Sequence, residues 1–287
     1  MRPAIRAFSM SLLVSVSAGL SAAPMSDQAY MASMAAMHAG DTPVPSPVAV
    51  EPPTQPVNGR EVVYATVDGK PLRGYLTKPV DTKGRLPGII AIHEWWGLND
   101  NIRRTADRIA GEGYEVLAVD LYNGQAATTP DEAGRLMKAA MDDTKTVDEN
   151  LKQAYAFLHD HEQDRGVAVV GWCFGGGWAL QTGLLLPDKI AAVVMYYGRP
   201  VTDVAQLHTL QMSLIGFFGA LDKGITPDMV HDFEAALRKA GVDEEIHIYP
   251  NAGHAFANPS GRNYQADAAK DSWQRMIKFL HQRMQKM

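Results

Sequence analysis

Short apolar segments rich in β-branched residues alternate with longer amphipathic segments from Gly59 onward, and this alternation constrains the fold more than any other feature. Strands that are apolar throughout must be buried on both faces, which is typical of a parallel sheet covered by helices. We therefore predict a single α/β domain, with a mostly parallel sheet and helices on both faces. The predicted strands of its core are Leu86–His93, Tyr114–Leu121, Val167–Gly171, Ile190–Tyr197, Ser213–Gly219 and Glu245–Tyr249.

A β-hairpin precedes this core. Glu61–Val67 and Leu72–Leu76 flank Asp68-Gly69, and Asp-Gly is a strong turn signal. The amphipathic segments predict helices between the strands, and the long one is expected to break near Asp142-Asp143. The predicted helices are Ile102–Gly111, Pro130–His159, Gly177–Leu186, Met229–Ala240 and Ala266–Met284.

Charge and cysteine content exclude some classes of function. The 287-residue chain carries a formal net charge of −5, whereas nucleic-acid binding requires a concentrated basic face, so we expect no nucleic-acid partner. A single cysteine, Cys173, permits no intramolecular disulfide and no zinc site built from several cysteines.

The first 23 residues have the pattern of a secretory signal. Arg2 and Arg6 precede an apolar run from Ala7 to Leu20, and small residues follow. The run is short for a membrane-spanning helix. We expect cleavage near Ala22 or Ala23, export to the periplasm or the medium and no stable membrane span afterwards, with an uncleaved anchor as the alternative. We also expect a monomer.

Residues 24–57 differ in composition from the rest of the chain. Met25, Met31, Met34 and Met37, with His38, lie at spacings that suit one side of a helix, and prolines are dense from 43 to 56. Thioethers are ligands for Cu(I), so one interpretation is a soft-metal site. The interpretation we prefer is a disordered Met-rich and Pro-rich linker, because such a proline density cannot form the interior of a helix or sheet. The folded domain is then expected over residues 58–287.

The segment Gly171-Trp172-Cys173-Phe174-Gly175-Gly176 follows an apolar strand and opens a helix. It has the G-x-nucleophile-x-G pattern of a nucleophile elbow, with cysteine as the nucleophile. Glycines are needed there because side chains would clash with the neighbouring backbone in a strained turn. We predict that Cys173 is the nucleophile and that the N–H of Phe174 contributes to an oxyanion hole. A buried structural cysteine in a glycine-rich turn is the alternative.

An acid and a histidine follow Cys173 in the order that the elbow predicts. Asp222 comes just after the strand that ends at Gly219, and His254 comes after the strand that ends at Tyr249. We predict that His254 is the general base and that Asp222 orients it. Asp203 and Asp228 compete with Asp222, although they are also typical of helix caps and first turns.

The loop after the first core strand begins with His93-Glu94-Trp95-Trp96. The second oxyanion-hole N–H comes from this loop in such an architecture, and we assign it to Trp95. Glu94 is expensive to bury unless it is paired. Arg103 or Arg104 is a possible partner, and a contact with the thiol or its base is the functional alternative.

Together these segments resemble the dienelactone hydrolase family of α/β-hydrolases, over about residues 60–285. The matching segments, in the family's order, are His93–Asn99, Val119–Tyr122, Gly171–Gly176, Tyr196–Gly198 and Ala252–Phe256. The resemblance implies the α/β-hydrolase fold and a Cys173–Asp222–His254 triad. It also implies that Glu94 controls formation of the thiolate, and that a lactone is hydrolysed through a thioester.

The sequence departs from the family where the substrate carboxylate is held. The family's two arginines are replaced here by Asn123-Gly124 and Asn258, which cannot form a charged fork to a carboxylate. Arg199 is either a replacement contact for an anion or a structural arginine. The residues expected to contact substrate are Trp96, Tyr122, Asn123, Tyr197, Phe256 and Asn258.

These observations favour a hydrolase of small-molecule carboxylic esters or lactones that needs no cofactor and no metal. A thioesterase or a small peptide hydrolase would use the same triad. A non-catalytic envelope protein that binds a ligand or copper is a hypothesis of another class, and the complete set of catalytic residues weighs against it.

Overall fold

The computed structural model describes residues 25–43, 51–82, 84–162 and 166–284, and an eight-stranded sheet runs through this part of the chain. Its strands are β1 (Val57–Val67), β2 (Lys70–Pro79), β3 (Gly88–Ile92), β4 (Glu115–Val119), β5 (Val167–Trp172), β6 (Ile190–Tyr196), β7 (Ser213–Gly219) and β8 (Glu244–Tyr249). The helices are α1 (Asp27–Met37), α2 (Asp100–Gly111), α3 (Pro130–Asp142), α4 (Thr144–Glu162), α5 (Phe174–Leu185), α6 (Val204–Leu207), α7 (Pro227–Ala240) and α8 (Ala266–Met284).

The strand order is β1-β2-β4-β3-β5-β6-β7-β8. The β1–β2 hairpin is antiparallel and joins the sheet through an antiparallel β2–β4 pair, whereas all later pairs are parallel. The carboxyl ends of the parallel strands therefore share one edge of the sheet, which is where ligands bind in open α/β sheets. The predicted fold class, a single mostly parallel α/β domain, is confirmed.

Local sequence accounts for most of the elements. Every residue of β3, β4 and β5 is buried. The apolar composition of β3 and β5 predicts this, whereas β4 also buries Glu115 at its start. The hairpin turns at Asp68 and Gly69, both with positive φ (49° and 74°). The long helical segment does break where expected, because Asp143 has non-helical dihedral angles between α3 and α4. The helix predicted over Gly177–Leu186 begins earlier than expected, because α5 starts at Phe174, directly after the elbow cysteine.

The Met-rich segment is not the disordered linker that we predicted. It forms α1, which Ser26 caps by accepting a hydrogen bond from the N–H of Ala29 at 3.2 Å. Tyr30 and Met34 are four residues apart, so they share one face of the helix, and both are buried. Burial of this face against the domain supplies the stability that a short isolated helix lacks.

The described part of the proline-rich segment, residues 51–56, is also bonded to the domain. Residues 51–56 contain no helix or strand, as their proline content requires. The hydroxyl of Thr54 and the amide of Gln55 both donate hydrogen bonds of 2.7 Å to the carbonyl of Gly111, the last residue of α2. These bonds satisfy a carbonyl that the helix end leaves without a partner, so this part is anchored rather than free.

The predictions of a secretory leader, of export and of a monomer remain without a structural test. The leader over residues 1–23 lies outside the described residues, so export stays a prediction, and so does the monomeric state. Among the helices of the described segments, none has the length and apolar character needed to cross a membrane.

Candidate active site

The elbow forms where β5 passes into α5. Cys173 has φ 56° and ψ −116°, in a region that side chains rarely occupy. The glycines around it are required by space: a Cβ atom at position 171 would lie 1.9 Å from the carbonyl oxygen of Gly175, and one at position 176 would lie 2.5 Å from that of Tyr196. The N–H of Cys173 donates to this same Tyr196 carbonyl at 3.0 Å, which fixes the turn to β6.

The elbow also packs closely against the end of β3. A Cβ atom at position 175 would lie 2.3 Å from the carbonyl oxygen of Ile92. This close approach brings the first turn of α5 beside the loop that carries Trp95. Among the described residues, no backbone carbonyl outside α5 accepts a hydrogen bond from the N–H of Phe174 or from that of Trp95. Both predicted oxyanion donors therefore belong to adjoining segments, the first turn of α5 and the loop after β3.

The structure brings the three predicted triad residues together. Nε2 of His254 lies 3.2 Å from Sγ of Cys173, and Nδ1 of His254 lies 2.7 Å from Oδ2 of Asp222. The other carboxylate oxygen of Asp222 accepts the N–H groups of Gly224 and Ile225, at 2.8 and 2.9 Å. Asp222 is therefore fully hydrogen-bonded although it is buried, and it holds the imidazole with Nε2 facing the sulfur.

These contacts favour a thiolate beside an imidazolium. Burial opposes ionisation of Cys173, but the neighbouring His254, helped by His38, outweighs it and lowers the pKa of the thiol to about 6. Burial likewise opposes the charge on His254, whereas Asp222 and Cys173 stabilise it and raise the pKa of His254 to about 10. The pair is therefore ionised over the range between these two values.

Glu94 is buried next to this pair, but neither arginine that we considered is its partner. It accepts a hydrogen bond from the hydroxyl of Tyr197 at 3.1 Å and another from the side-chain amide of Asn258. Arg103 instead pairs with Glu61 on the surface. Burial, together with the negative charge of Cys173, raises the pKa of Glu94 to about 7. Glu94 can therefore gain or lose a proton near neutral pH.

Aromatic residues surround the catalytic groups, as the motifs predict. Trp96, Tyr122, Tyr197 and Phe256 are all buried. The ring of Tyr197 lies edge-on to His254, with centroids 5.2 Å apart, and Phe256 packs against Tyr197. Asn123 is different, because it lies in an exposed turn with φ 54°, outside the buried cluster.

Sequence reasoning missed a second group of residues at the thiol, which α1 and the residues after it supply. Sδ of Met34 lies 3.6 Å from Sγ of Cys173, and Nε2 of His38 lies 3.8 Å from the same sulfur. Nδ1 of His38 lies 3.0 Å from Oδ2 of Asp41, and the His38 ring stacks on Trp95 with centroids 4.4 Å apart. The methionine spacing was a signal for this helix, but not for its contact with the elbow.

These contacts cover the thiol of Cys173, which has no exposed surface. Arg199 holds α1 in place, since its guanidinium bonds the carboxylate of Asp27 and the carbonyl of Met25 and lies over the ring of Tyr30. Of the two roles considered for Arg199, the structure therefore shows the structural one. A cavity of about 830 Å³ lies beside the elbow between α1 and the domain, and Tyr30 and Phe174 both line it.

Comparisons with known proteins identify the family and agree with the fold. The profile of the Dienelactone hydrolase family matches residues 72–284. Protein usf of Aquifex pyrophilus is 32% identical over 77% of this chain and 97% of its own length. A provisionally named carboxymethylenebutenolidase of Synechocystis is 33% identical over 74% of this chain and 91% of its own. The crystal structure of a provisionally named dienelactone hydrolase from Klebsiella pneumoniae superposes with a TM-score of 0.72 at 28% identity, over 79% of this chain and 100% of that one.

The close packing at the elbow predicts the effect of one methyl group. We expect Gly171→Ala to lower the free energy of unfolding by about 1–3 kcal/mol or more, because its Cβ would overlap the Gly175 carbonyl. Gly134→Ala in α3 is the control: nothing lies within 4 Å of its Cβ, so we expect a gain of about 0.5–1 kcal/mol. Urea unfolding followed by circular dichroism measures both, and equal changes would contradict the packing argument.

The ionisation of Cys173 gives a second prediction. A lowered thiol pKa means that the thiolate is present above about pH 6 and is lost as the pH falls through that value. The ultraviolet absorbance of the thiolate, with Cys173→Ser as the blank, should therefore titrate near pH 6. In His254→Gln the midpoint should rise toward the ordinary cysteine value of about 8.5. A wild-type midpoint at that ordinary value would show that the pair is not ionised.

Proposed function

Because the chain belongs to the dienelactone hydrolase family, we propose that it hydrolyses carboxylic esters or lactones through a thioester on Cys173. The observation that carries the proposal is the 3.2 Å contact between His254 Nε2 and the thiol sulfur, with Asp222 behind the histidine. Acyl transfer requires an activated nucleophile and a base that can donate a proton to the leaving group, and an ionised thiol beside a histidine meets both requirements. No bound group is needed for any step of this reaction.

In the proposed cycle the thiolate of Cys173 attacks the carbonyl carbon of the substrate. The carbonyl oxygen becomes an oxyanion, which the N–H groups of Phe174 and Trp95 stabilise; one such donor is typically worth about 3 kcal/mol. The intermediate collapses, the C–O bond of the ester breaks, and His254 donates its proton to the departing oxygen. His254 then removes a proton from water, which attacks the thioester and releases the acid.

We propose that Glu94 adjusts the charge around the thiolate during this cycle. Its carboxyl group is buried next to Cys173, and its pKa of about 7 lies close to neutral pH. A protonated Glu94 relieves repulsion when the thiolate is present, whereas an ionised Glu94 disfavours the thiolate. Asn258 and Tyr197 hold Glu94 in this position, so we assign to them a positioning role.

Substrate access requires a change in this structure. The sulfur has no exposed surface, and Met34 and His38 occupy the space in front of it. We propose that α1 moves aside to admit substrate, and that this movement connects the cavity at Tyr30 and Phe174 with the nucleophile.

The hydroxyl groups of Tyr30 and Tyr122 and the indole N–H of Trp95 are buried without a partner among the described residues. Such groups favour a substrate that carries polar atoms.

A direct test is hydrolysis of p-nitrophenyl acetate. We expect Cys173→Ala to reduce kcat by at least about 10⁴-fold, since loss of a nucleophile removes most of the catalysis. His231→Ala, which changes an exposed histidine of α7, is the control for His254→Ala. Mass spectrometry of the acid-quenched reaction should show an acetyl group on Cys173. Activity that survives in Cys173→Ala would refute the proposed mechanism, and thioester and peptide substrates run in parallel would reveal the two alternative hydrolase activities.

The preferred substrate is predicted to lack a carboxylate next to the scissile bond. Asn258 is hydrogen-bonded to Glu94, and Asn123 lies outside the buried cluster. Arg199, the one cation of the three, is bonded to α1, so it is not free to bind a substrate carboxylate. An enol-lactone with a free carboxylate should therefore have a kcat/KM no higher than that of its methyl ester. Arg199→Gln should change both substrates alike. A preference of more than about 10-fold for the free carboxylate, lost in Arg199→Gln, would assign anion recognition to Arg199.

A further inference from the structure

Four potential metal ligands meet at the covered nucleophile. One ligand atom from each of His38, Cys173 and His254 lies within 4.8 Å of the others, and all three side chains are buried. Sδ of Met34 completes the group at 3.6 Å from the thiol sulfur. Two of these residues belong to the proposed catalytic triad and two come from α1 and its end. The cluster therefore exists only while α1 lies on the domain.

The distances from the thiol sulfur to the other three ligand atoms suit a four-coordinate ion. Bonds of about 2.3 Å to sulfur and about 2.0 Å to nitrogen place the ligands of a tetrahedral site about 3.3–3.8 Å apart. The observed distances from Sγ of Cys173 are 3.2 Å to His254, 3.6 Å to Met34 and 3.8 Å to His38. An ordinary apolar contact would explain Met34 alone, but not two imidazole nitrogens directed at the same sulfur.

Both histidines are oriented in the way that metal ligands are. Nδ1 of His254 is bonded to Asp222, and Nδ1 of His38 is bonded to Asp41, which leaves Nε2 of each ring facing Cys173. A carboxylate behind the second ring nitrogen fixes the tautomer and raises the basicity of a ligating histidine. The triad accounts for the first of these pairs. No step of the proposed catalytic cycle requires the second, His38–Asp41, although both of its residues are buried.

We propose that Met34, His38, Cys173 and His254 bind a Cu(I) ion. A thiolate and a thioether are soft ligands that select Cu(I), and imidazole is compatible with it, whereas a thioether adds little for zinc. Binding involves no change in oxidation state: the metal ion takes the place of the proton that Nε2 of His254 holds beside the thiolate, and that proton is released to water. The ion would tie α1 to the elbow and occupy the sulfur, so the metal-bound form is an inactive one. This last consequence rests on the proposed hydrolase function, whereas the binding itself does not.

The test is an anaerobic titration of the purified full-length protein with Cu(I), in competition with a chromogenic Cu(I) chelator. We expect one tightly bound equivalent in the wild type and none in Cys173→Ser. Met34→Leu keeps the size of the side chain and removes the sulfur, and His38→Gln removes the imidazole; each should weaken binding at least about 10-fold. Met31→Leu on the same helix and His231→Gln on the surface are the matched controls, and we expect both to bind like the wild type.

X-ray absorption of the Cu(I) form should show two sulfur and two nitrogen ligands, and Met34→Leu should lose one sulfur. Melting curves of all variants show whether they are folded. Binding that is unchanged in both Met34→Leu and His38→Gln would overturn the proposal, because it would be adventitious capture by the thiolate. Tighter stoichiometric binding of Zn(II) than of Cu(I) would overturn the assignment of the ion.

Activity measurements then separate the two proposals. If hydrolysis is observed, Cu(I) should abolish it in the wild type, and His38→Gln should require at least about 10-fold more Cu(I) for the same inhibition. If no hydrolysis is observed with any substrate, the titration and the absorption spectrum still decide whether the metal site exists. Failure of the proposed function and failure of the metal site therefore give different results.

Discussion

The rest of the site depends on the strained turn at Cys173. Its positive φ and the three glycines around it allow α5 to start directly at the end of β5, so close to β3 and β6 that their carbonyl oxygens leave no room for side chains. Backbone strain of this kind costs about 1–3 kcal/mol and persists only where the surroundings hold it. Here the buried parallel strands hold it, and the thiol is fixed at the sheet edge where β7 and β8 deliver Asp222 and His254.

Burial of so many ionisable groups in one place is tolerable because each has a partner. Asp222 receives two backbone N–H groups and the imidazole, and Glu94 receives a phenol and an amide. An unpaired buried charge would cost several kcal/mol. The arrangement keeps the charge of the thiolate–imidazolium pair while Glu94 can be neutral. The same partners set the pKa values, so the stability of the site and its reactivity have one physical origin.

The segment before the domain is part of the site rather than a tether. Arg199 bonds its start at Asp27, and Arg262 contacts Asp41 just beyond its end. Between these attachments, Tyr30, Met34 and His38 fill the space in front of the Cys173 thiol. Each polar attachment has one exposed partner, Asp27 or Arg262, whereas the sheet beneath is deeply buried. The proposed movement of α1 would therefore leave the elbow in place.

The sequence by itself determined the sheet, the elbow and the triad. These follow from local patterns: β3 and β5 are apolar throughout, the glycines at 171, 175 and 176 mark a turn, and the order cysteine, aspartate, histidine places each residue after a strand. Only the tertiary structure decided what fills the site around them. Glu94 is 164 residues from Asn258, and Cys173 is 139 residues from Met34. Contacts over such separations depend on the path of the folded chain, which local periodicity does not encode. For this reason a methionine-rich segment could be predicted as a possible helix, but not as the cover of the nucleophile.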